Sequence, residues 1–265
     1  MPLRTRKRQS VITDPVADAQ KKYHLPFEEV KRVNRWERWM SHATTGQFAA
    51  LQGGFVRHCG PTAITNIITA MNKRYHYLVS PAEAEGTAEP SGFFPSQTDV
   101  FEKVSEIGIR HRFYWNMDFL KRFGGTYDLL TGFYLKSCFR FYGIPCRLTW
   151  PGGRGTKWKP GNKWKAGKPE VLVKSVIPVR KGQYLRSLQK GNLLYLQLHH
   201  HPCYGSHHLV CYGYVEVMSK DDAGEGEKSY RKTYLTVADG WTHSLRYLDT
   251  SEIGLCRYYE IGVAD

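Results

Sequence analysis

Nowhere in the 265 residues do about 18 apolar residues follow one another, which leaves nothing long enough for a membrane-spanning helix. The opening residues, MPLRTRKRQS, carry charge but no apolar run of signal-peptide length behind them, so the reading expects a cytoplasmic protein. The six cysteines include no Cys-x-x-Cys pair, which argues against a structural zinc site of the finger type. Without an export signal, reduced thiols are expected rather than three disulfides. There is no phosphate-cradling P-loop, and no internal repeat stands out. Acidic residues are scarce: 24 Asp and Glu face 38 Lys and Arg, a net charge of +14. That imbalance leaves a polyanionic partner open.

What the chain does have is core-forming material. Apolar residues make up 41% and aromatics 14%, which excludes wholesale disorder. The length suits one domain with appendages. Residues 1–25 are polar and basic and read as a flexible leader. Residues 26–45 follow as an amphipathic helical segment, because Phe27, Val30, Val33, Trp36 and Met40 recur at steps of three or four. Residues 46–265 then form the main domain. Within it, helices are expected from about Cys59 to Met71, from Gln97 to Ile107 behind a Ser96 cap, and over 126–142 up to Gly143. Strands are expected at 109–115, 144–150, 171–179, 193–200, 207–217 and 232–239. Helices early and strands late argue for an α+β fold rather than alternating βαβ units. Residues 151–169, with six Lys or Arg, five glycines and two tryptophans, read as a basic surface insertion. Residues 219–231 read as a charged hairpin loop.

One cysteine stands apart. In Gln52-Gly-Gly-Phe-Val-Arg-His-Cys59-Gly-Pro-Thr-Ala, Cys59 is expected at a helix N-terminus, where free N–H groups and the positive dipole end favour a thiolate. A nucleophilic thiol needs a base, and the base needs an orienting partner. Downstream, Gly205-Ser-His207-His208-Leu-Val-Cys-Tyr-Gly213-Tyr214 sets a histidine at the start of an apolar strand. The next strand ends in Val237-Ala-Asp239-Gly-Trp241. If these strands are antiparallel neighbours, Asp239 returns beside the histidine. Residues next to each other on a strand face opposite sides. Either His207 with Leu209 and Cys211 faces the cysteine, or His208 does so with Val210 and Tyr212.

These residues resemble the papain-like cysteine peptidase superfamily, most closely its C39-like branch, in which a Cys-Gly-Pro-x-Ala nucleophile motif precedes an H-x-V-x-x-x-G-Y strand and a final Asp. The resemblance implies an α+β papain-like architecture, with a nucleophile-bearing helix packed on a twisted antiparallel sheet. It implies a cysteine peptidase or amide hydrolase working through an acyl-enzyme thioester. Cys59 would be the nucleophile, His207 the base (by counting back from Gly213) and Asp239 its orienting residue. His208 is the alternative base. Gln52, one residue further upstream than the family's spacing, would help hold the oxyanion, with Gln47 as a fallback. No cofactor or metal is implied, and the expected partner is a peptide or amide substrate. The same triad also serves acyltransferases and transglutaminase-like enzymes, and a catalytically silent binding module is a further alternative.

Two features tempt other readings. His199-His200-His201-Pro-Cys203 with His207 and His208 gathers zinc-type ligands, but neighbouring strand residues diverge, and a polar rim is the plainer account. The Lys/Trp insertion offers cations and stacking surfaces to single-stranded nucleic acid. No helix-turn-helix, finger or RNA-recognition signature accompanies it, and nucleic acid ranks behind a peptide as partner. The sequence gives no oligomeric state.

Overall fold

A computed structural model describes residues 10–52, 57–77, 95–116, 124–151, 169–176, 181–219, 230–254 and 256–264. The basic run at the N-terminus (1–9), nearly all of the 151–169 insertion and most of the charged loop (220–229) therefore lie outside the described residues. In chain order the elements are α1 (Pro15–Tyr23), β1 (Phe27–Val33), α2 (Thr45–Phe48), α3 (Cys59–Tyr75), α4 (Gln97–Arg110), β2 (Tyr114–Asn116), β3 (Gly124–Thr126), α5 (Thr131–Phe141), β4 (Cys146–Thr149), β5 (Val171–Val176), α6 (Lys181–Gln189), β6 (Leu193–His201), β7 (Gly205–Ser219), β8 (Arg231–Ala238), β9 (Arg246–Asp249) and β10 (Arg257–Val263). The fold is α+β.

The main sheet runs β4-β5-β10-β6-β7-β8-β9, with β1 also paired to β7. It is mixed rather than wholly antiparallel, because β4 and β5 run parallel. The other pairings are antiparallel. β7 and β8 are the neighbours expected across the charged loop, paired from Val210↔Ala238 to Met218↔Arg231.

β7 is the spine. Its first half pairs with β6 on the edge along which its second half pairs with β1. The two partners meet at Gly213, where a Cβ would lie 2.4 Å from the Val33 carbonyl oxygen. Only glycine lets the backbones approach so closely.

β1 corrects an expectation. Phe27–Val33 forms a strand, not the start of a helix over 26–40. The three-to-four spacing of its apolar residues is real, but Val30 is exposed while Phe27 packs beside Val215 and Val217. The open edge of β7 supplies the backbone partners that decide the matter, and tertiary pairing overrides a weak local pattern. Residues 1–25 are likewise more than a leader. Asp14 accepts hydrogen bonds from the Val16 and Ala17 amides and starts α1, whose Ala19 is buried against the same cluster. The expected strand at 109–115 shrinks to Tyr114–Asn116, because α4 continues through Gly108 to Arg110. α4 opens with the expected Ser96 cap, in which Asp99 bonds back to the Ser96 amide.

The sheet is covered on both faces. α3, α4 and α5 pack with Tyr195, Val210, Tyr212 and Tyr259 on one face. On the other, Tyr184 and Leu188 of α6 meet Leu194, Leu196, Leu198, Leu209 and Cys211. α3 is buried around its whole circumference from Gly60 to Asn72, which marks a central core helix. Its fully buried Asn66 is satisfied: it accepts from the Ala43 N–H at 2.9 Å and donates to the Ala43 carbonyl at 3.2 Å. No helix among the described residues is long and apolar enough to cross a membrane.

Candidate active site

Cys59 opens α3 as expected. The preceding residue, His58, makes no side-chain cap; its Nε2 is turned to the Thr45 carbonyl at 2.8 Å. The first amides of the helix are therefore free for another acceptor, and the Cys59 sulfur takes that place. Main-chain N–H groups of His208, Gly60 and Cys59 itself all act on it. Burial is the strongest influence and pushes the thiol up to about 11 against the pull of these donors, with the Asp128 charge adding to the rise. The thiol thus rests protonated at neutral pH. Of the six cysteines, Cys59 alone is partly exposed; the other five are buried.

The two histidines divide between the faces of the sheet, and the division reverses the expected one. Leu209 and Cys211, on the His207 side of β7, belong to the α6 layer. Val210 and Tyr212, on the His208 side, belong to the α3 layer, with the helix that Cys59 opens. His207 is buried, stacked on Tyr204 at 5.5 Å and packed against Trp241 at 4.9 Å. Its Nε2 donates to the main-chain carbonyl of Asp239 at 2.6 Å, not to the carboxylate. Burial lowers its pKa to about 4. The Asp239 carboxylate is occupied elsewhere: Oδ1 accepts from the Trp241 and Thr242 amides at 2.9 and 3.1 Å, and Oδ2 from the Tyr204 hydroxyl at 3.2 Å. The Asp239 turn does lie beside the start of α3, since a Cβ on Gly240 would come within 3.3 Å of Thr62. Tertiary folding therefore gathers the three expected segments but turns the His207 and Asp239 side chains into a structural knot.

On the α3 face, His208 has its own partners. Its Nε2 lies 3.2 Å from Oδ1 of Asp128, and its Nδ1 lies 2.7 Å from the Tyr195 hydroxyl. Asp128 sits in the short 3-10 turn that leads into α5. Burial works to raise its pKa, but the hydrogen bond from His208 and the nearby His208, His199 and Arg257 outweigh it and hold the carboxyl below the usual carboxylate range. An ionised carboxylate only accepts, so His208 donates from Nε2, and its Nδ1 meets the Tyr195 hydroxyl. His199 Nε2 approaches the other Asp128 oxygen at 3.2 Å.

The Asp128 turn is itself held in place. Gln197, directly opposite His208 in the sheet register, donates from Nε2 to the Asp128 carbonyl at 3.1 Å and to the Thr131 hydroxyl at 2.6 Å. On the other side, Gly60 makes room for β3: a Cβ there would lie 2.6 Å from the Thr126 Cβ. The glycine that follows Cys59 thus permits the strand two residues before Asp128 to approach.

The sequence reading missed Asp128, Tyr195 and Gln197. Asp128 reads as an ordinary helix-start acid, and the other two read as strand residues. The only available signal was register, since Tyr195 and Gln197 share the His208 face once β6 is laid beside β7. Gln52 ends the 3-10 turn Ala50–Gln52, and its side chain lies outside the described residues. The fallback Gln47 donates to Gln97 in an exposed contact at 3.4 Å. Within the histidine-rich segment, His201 Nδ1 accepts from the Cys203 and Tyr204 amides at 3.1 and 3.3 Å. Among the described residues, no group of three or more His, Cys, Asp or Glu could hold a metal ion.

Comparison of the chain with protein-family models, with curated proteins and with solved structures gave no match.

Proposed function

We propose that the chain is a cysteine hydrolase of amide bonds, in which Cys59 attacks, His208 is the base and Asp128 orients it. The observation that carries this reading is the His208–Asp128 pair at 3.2 Å on the face of the sheet that α3 covers, with the His208 main-chain N–H acting on the Cys59 sulfur. As the Sγ–C bond forms, the thiol proton passes to the imidazole, because a thiol with a pKa of about 11 does not ionise by itself at neutral pH. The Cys59 and Gly60 amides at the start of α3 supply donors for the oxyanion. The imidazolium then protonates the leaving amine as the C–N bond breaks, and water releases the acyl group from the thioester. A peptide or another amide would serve as substrate, and an amine in place of water turns the same chemistry into acyl transfer.

The decisive experiment is site-mapped alkylation of the full chain at neutral pH. Partial exposure alone favours Cys59 over the five buried cysteines, so the informative comparison is with His208→Ala. The proposal expects that variant to label Cys59 about 10²-fold more slowly or worse, the scale of a lost general base, while His207→Ala labels a folded site at nearly the native rate. Equal labelling of native and His208→Ala protein would favour a silent papain-like binding module.

A further inference from the structure

The Asp128 carboxylate meets an imidazole at each oxygen. His208 Nε2 lies 3.2 Å from Oδ1, and His199 Nε2 lies 3.2 Å from Oδ2. The turn that carries Asp128 is fixed through its main chain: Gln197 Nε2 donates to the Asp128 carbonyl at 3.1 Å, and the Tyr259 hydroxyl reaches the same oxygen at 3.5 Å. Neither bond touches the carboxylate. The last torsion of an aspartate is broad, and the Asp128 side chain is 33% open to solvent. A fixed backbone therefore does not by itself aim Oδ1 at His208. The strand that supplies His199 is irregular at that point. β6 and β7 pair at Leu198↔His207 and again at His201↔Gly205, so His199 and His200 together face Ser206 alone. His200 takes the left-handed conformation, with φ 53°, which a non-glycine residue adopts at a cost. The pleat sends His199 to the face of Tyr195 and Gln197, and a bulge bends the strand and sets the aim of the side chain it carries.

We propose that His199 is a positioning residue for the base: it holds Oδ2 of Asp128 so that Oδ1 stays on His208, an inference that rests on the hydrolase reading above. An ionised carboxylate accepts at both oxygens. One contact leaves it free to turn, and a second on the far oxygen removes that freedom. Support of this kind is what keeps a reacting group within a fraction of an ångström of its working geometry. Arg257 of β10 acts on Asp128 through its charge, which favours the ionised carboxyl but gives it no direction. His199 is 39% exposed, and without it water would reach Oδ2 and compete with the aligned state. His199 acts through Asp128 and not on the reacting atoms. Neither the motif around Cys59 nor the one around His208 points to it, because the link runs through a turn some seventy residues upstream.

The test is the rate of Cys59 carbamidomethylation by iodoacetamide at pH 7, followed by mass spectrometry on the full chain. The chains compared are native, His199→Ala, His199→Gln, Asp128→Asn, His208→Ala and the double variant His199→Ala with Asp128→Asn. Thermal melts confirm that each is folded, and the exposure of His199 keeps its replacement out of the core. His199→Ala should slow labelling about fivefold, part of what the loss of the base or of its orienting charge costs. His199→Gln keeps an N–H close to the place of Nε2 and should bring the rate back to within about twofold of native. In the Asp128→Asn chain, His199→Ala should change the rate by less than about twofold, because the two residues act as one unit. A His199→Ala chain that labels at the native rate, with His208→Ala slow, overturns the positioning role and leaves the hydrolase reading standing. A loss that glutamine does not restore, or that persists in full in the Asp128→Asn chain, marks a packing role and overturns the proposal as well. If His208→Ala also labels at the native rate, both readings fall.

Discussion

Asp128 and His208 are joined by a 3.2 Å contact between Oδ1 and Nε2, although one lies in a turn before a helix and the other on the central strand. The pairing sets the imidazole tautomer, and Gln197 fixes the turn that makes it possible. Asp239, the carboxylate more easily found in the sequence, instead closes its own turn.

These two carboxylates should therefore respond in opposite ways. Asp128→Asn keeps the shape but loses the charge that holds His208, and Cys59 labelling should fall about tenfold or more with stability changed by less than about 1 kcal/mol. Asp239→Ala strips three hydrogen bonds from a buried turn, and should cost about 2–4 kcal/mol in urea unfolding while the folded fraction still labels at close to the native rate. If Asp239→Ala abolishes labelling without loss of stability, the assignment of the two roles is reversed.

Gly60 is a second point of leverage. Gly60→Ala drives a methyl into Thr126, and overpacking of this kind costs about 1–3 kcal/mol. The strand it pushes leads straight into Asp128, so labelling of Cys59 should drop as well. Adding Thr126→Gly to Gly60→Ala should recover part of both losses. Simple additivity of the two substitutions would show that the contact is not shared.

Acid should weaken the fold through His207 and His201, whose pKa values burial lowers from 6.5 to about 4. Between those pH values the unfolded chain binds protons that the folded chain refuses, so stability is full above pH 6.5 and falls as the pH drops towards 4. At about 1.4 kcal/mol per pH unit, each histidine should remove roughly 2 kcal/mol between pH 7 and pH 5. Urea midpoints at the two pH values measure this, and His207→Gln should show a shallower decline than the native chain. Identical slopes would place the acid sensitivity elsewhere.

The N-terminal helix should be part of the folded unit. Lys22 reaches Asp18 at 3.0 Å, Asp249 at 3.0 Å and Glu252 at 2.8 Å, and the Asp249 side chain is almost wholly buried. Lys22→Met leaves that carboxylate without its cation and should cost about 1–3 kcal/mol. Removal of residues 1–25 should cost more, since it also takes away Ala19 and the bridge between Ile12 and Tyr247. A truncated chain with an unchanged melting temperature would show that the segment is dispensable.

Much of the fold is written in local patterns. The Ser96 cap with Asp99 announced α4, the apolar run after Cys59 announced α3, and the period of the later segments announced β5, β6, β7 and β8. Local patterns failed where a partner distant in sequence decided the outcome. Phe27–Val33 carried helical spacing and became a strand because β7 had an open edge. Asp14-Pro15 signalled a helix start that a basic, polar leader obscured.

The sequence by itself determined the nucleophile candidate: a cysteine at the start of a helix rich in small and β-branched residues is a local arrangement. It also determined that His207 or His208 would stand near it, because strand period places one of them on each face. Which face meets α3 was settled only by the tertiary structure. A strand has two equivalent sides until helices cover them, and the α3 layer lies on the side of His208. The partners Asp128, Tyr195 and Gln197 were decided in the same way, since a buried imidazole must be satisfied by whatever polar groups the packed layers bring within about 3 Å.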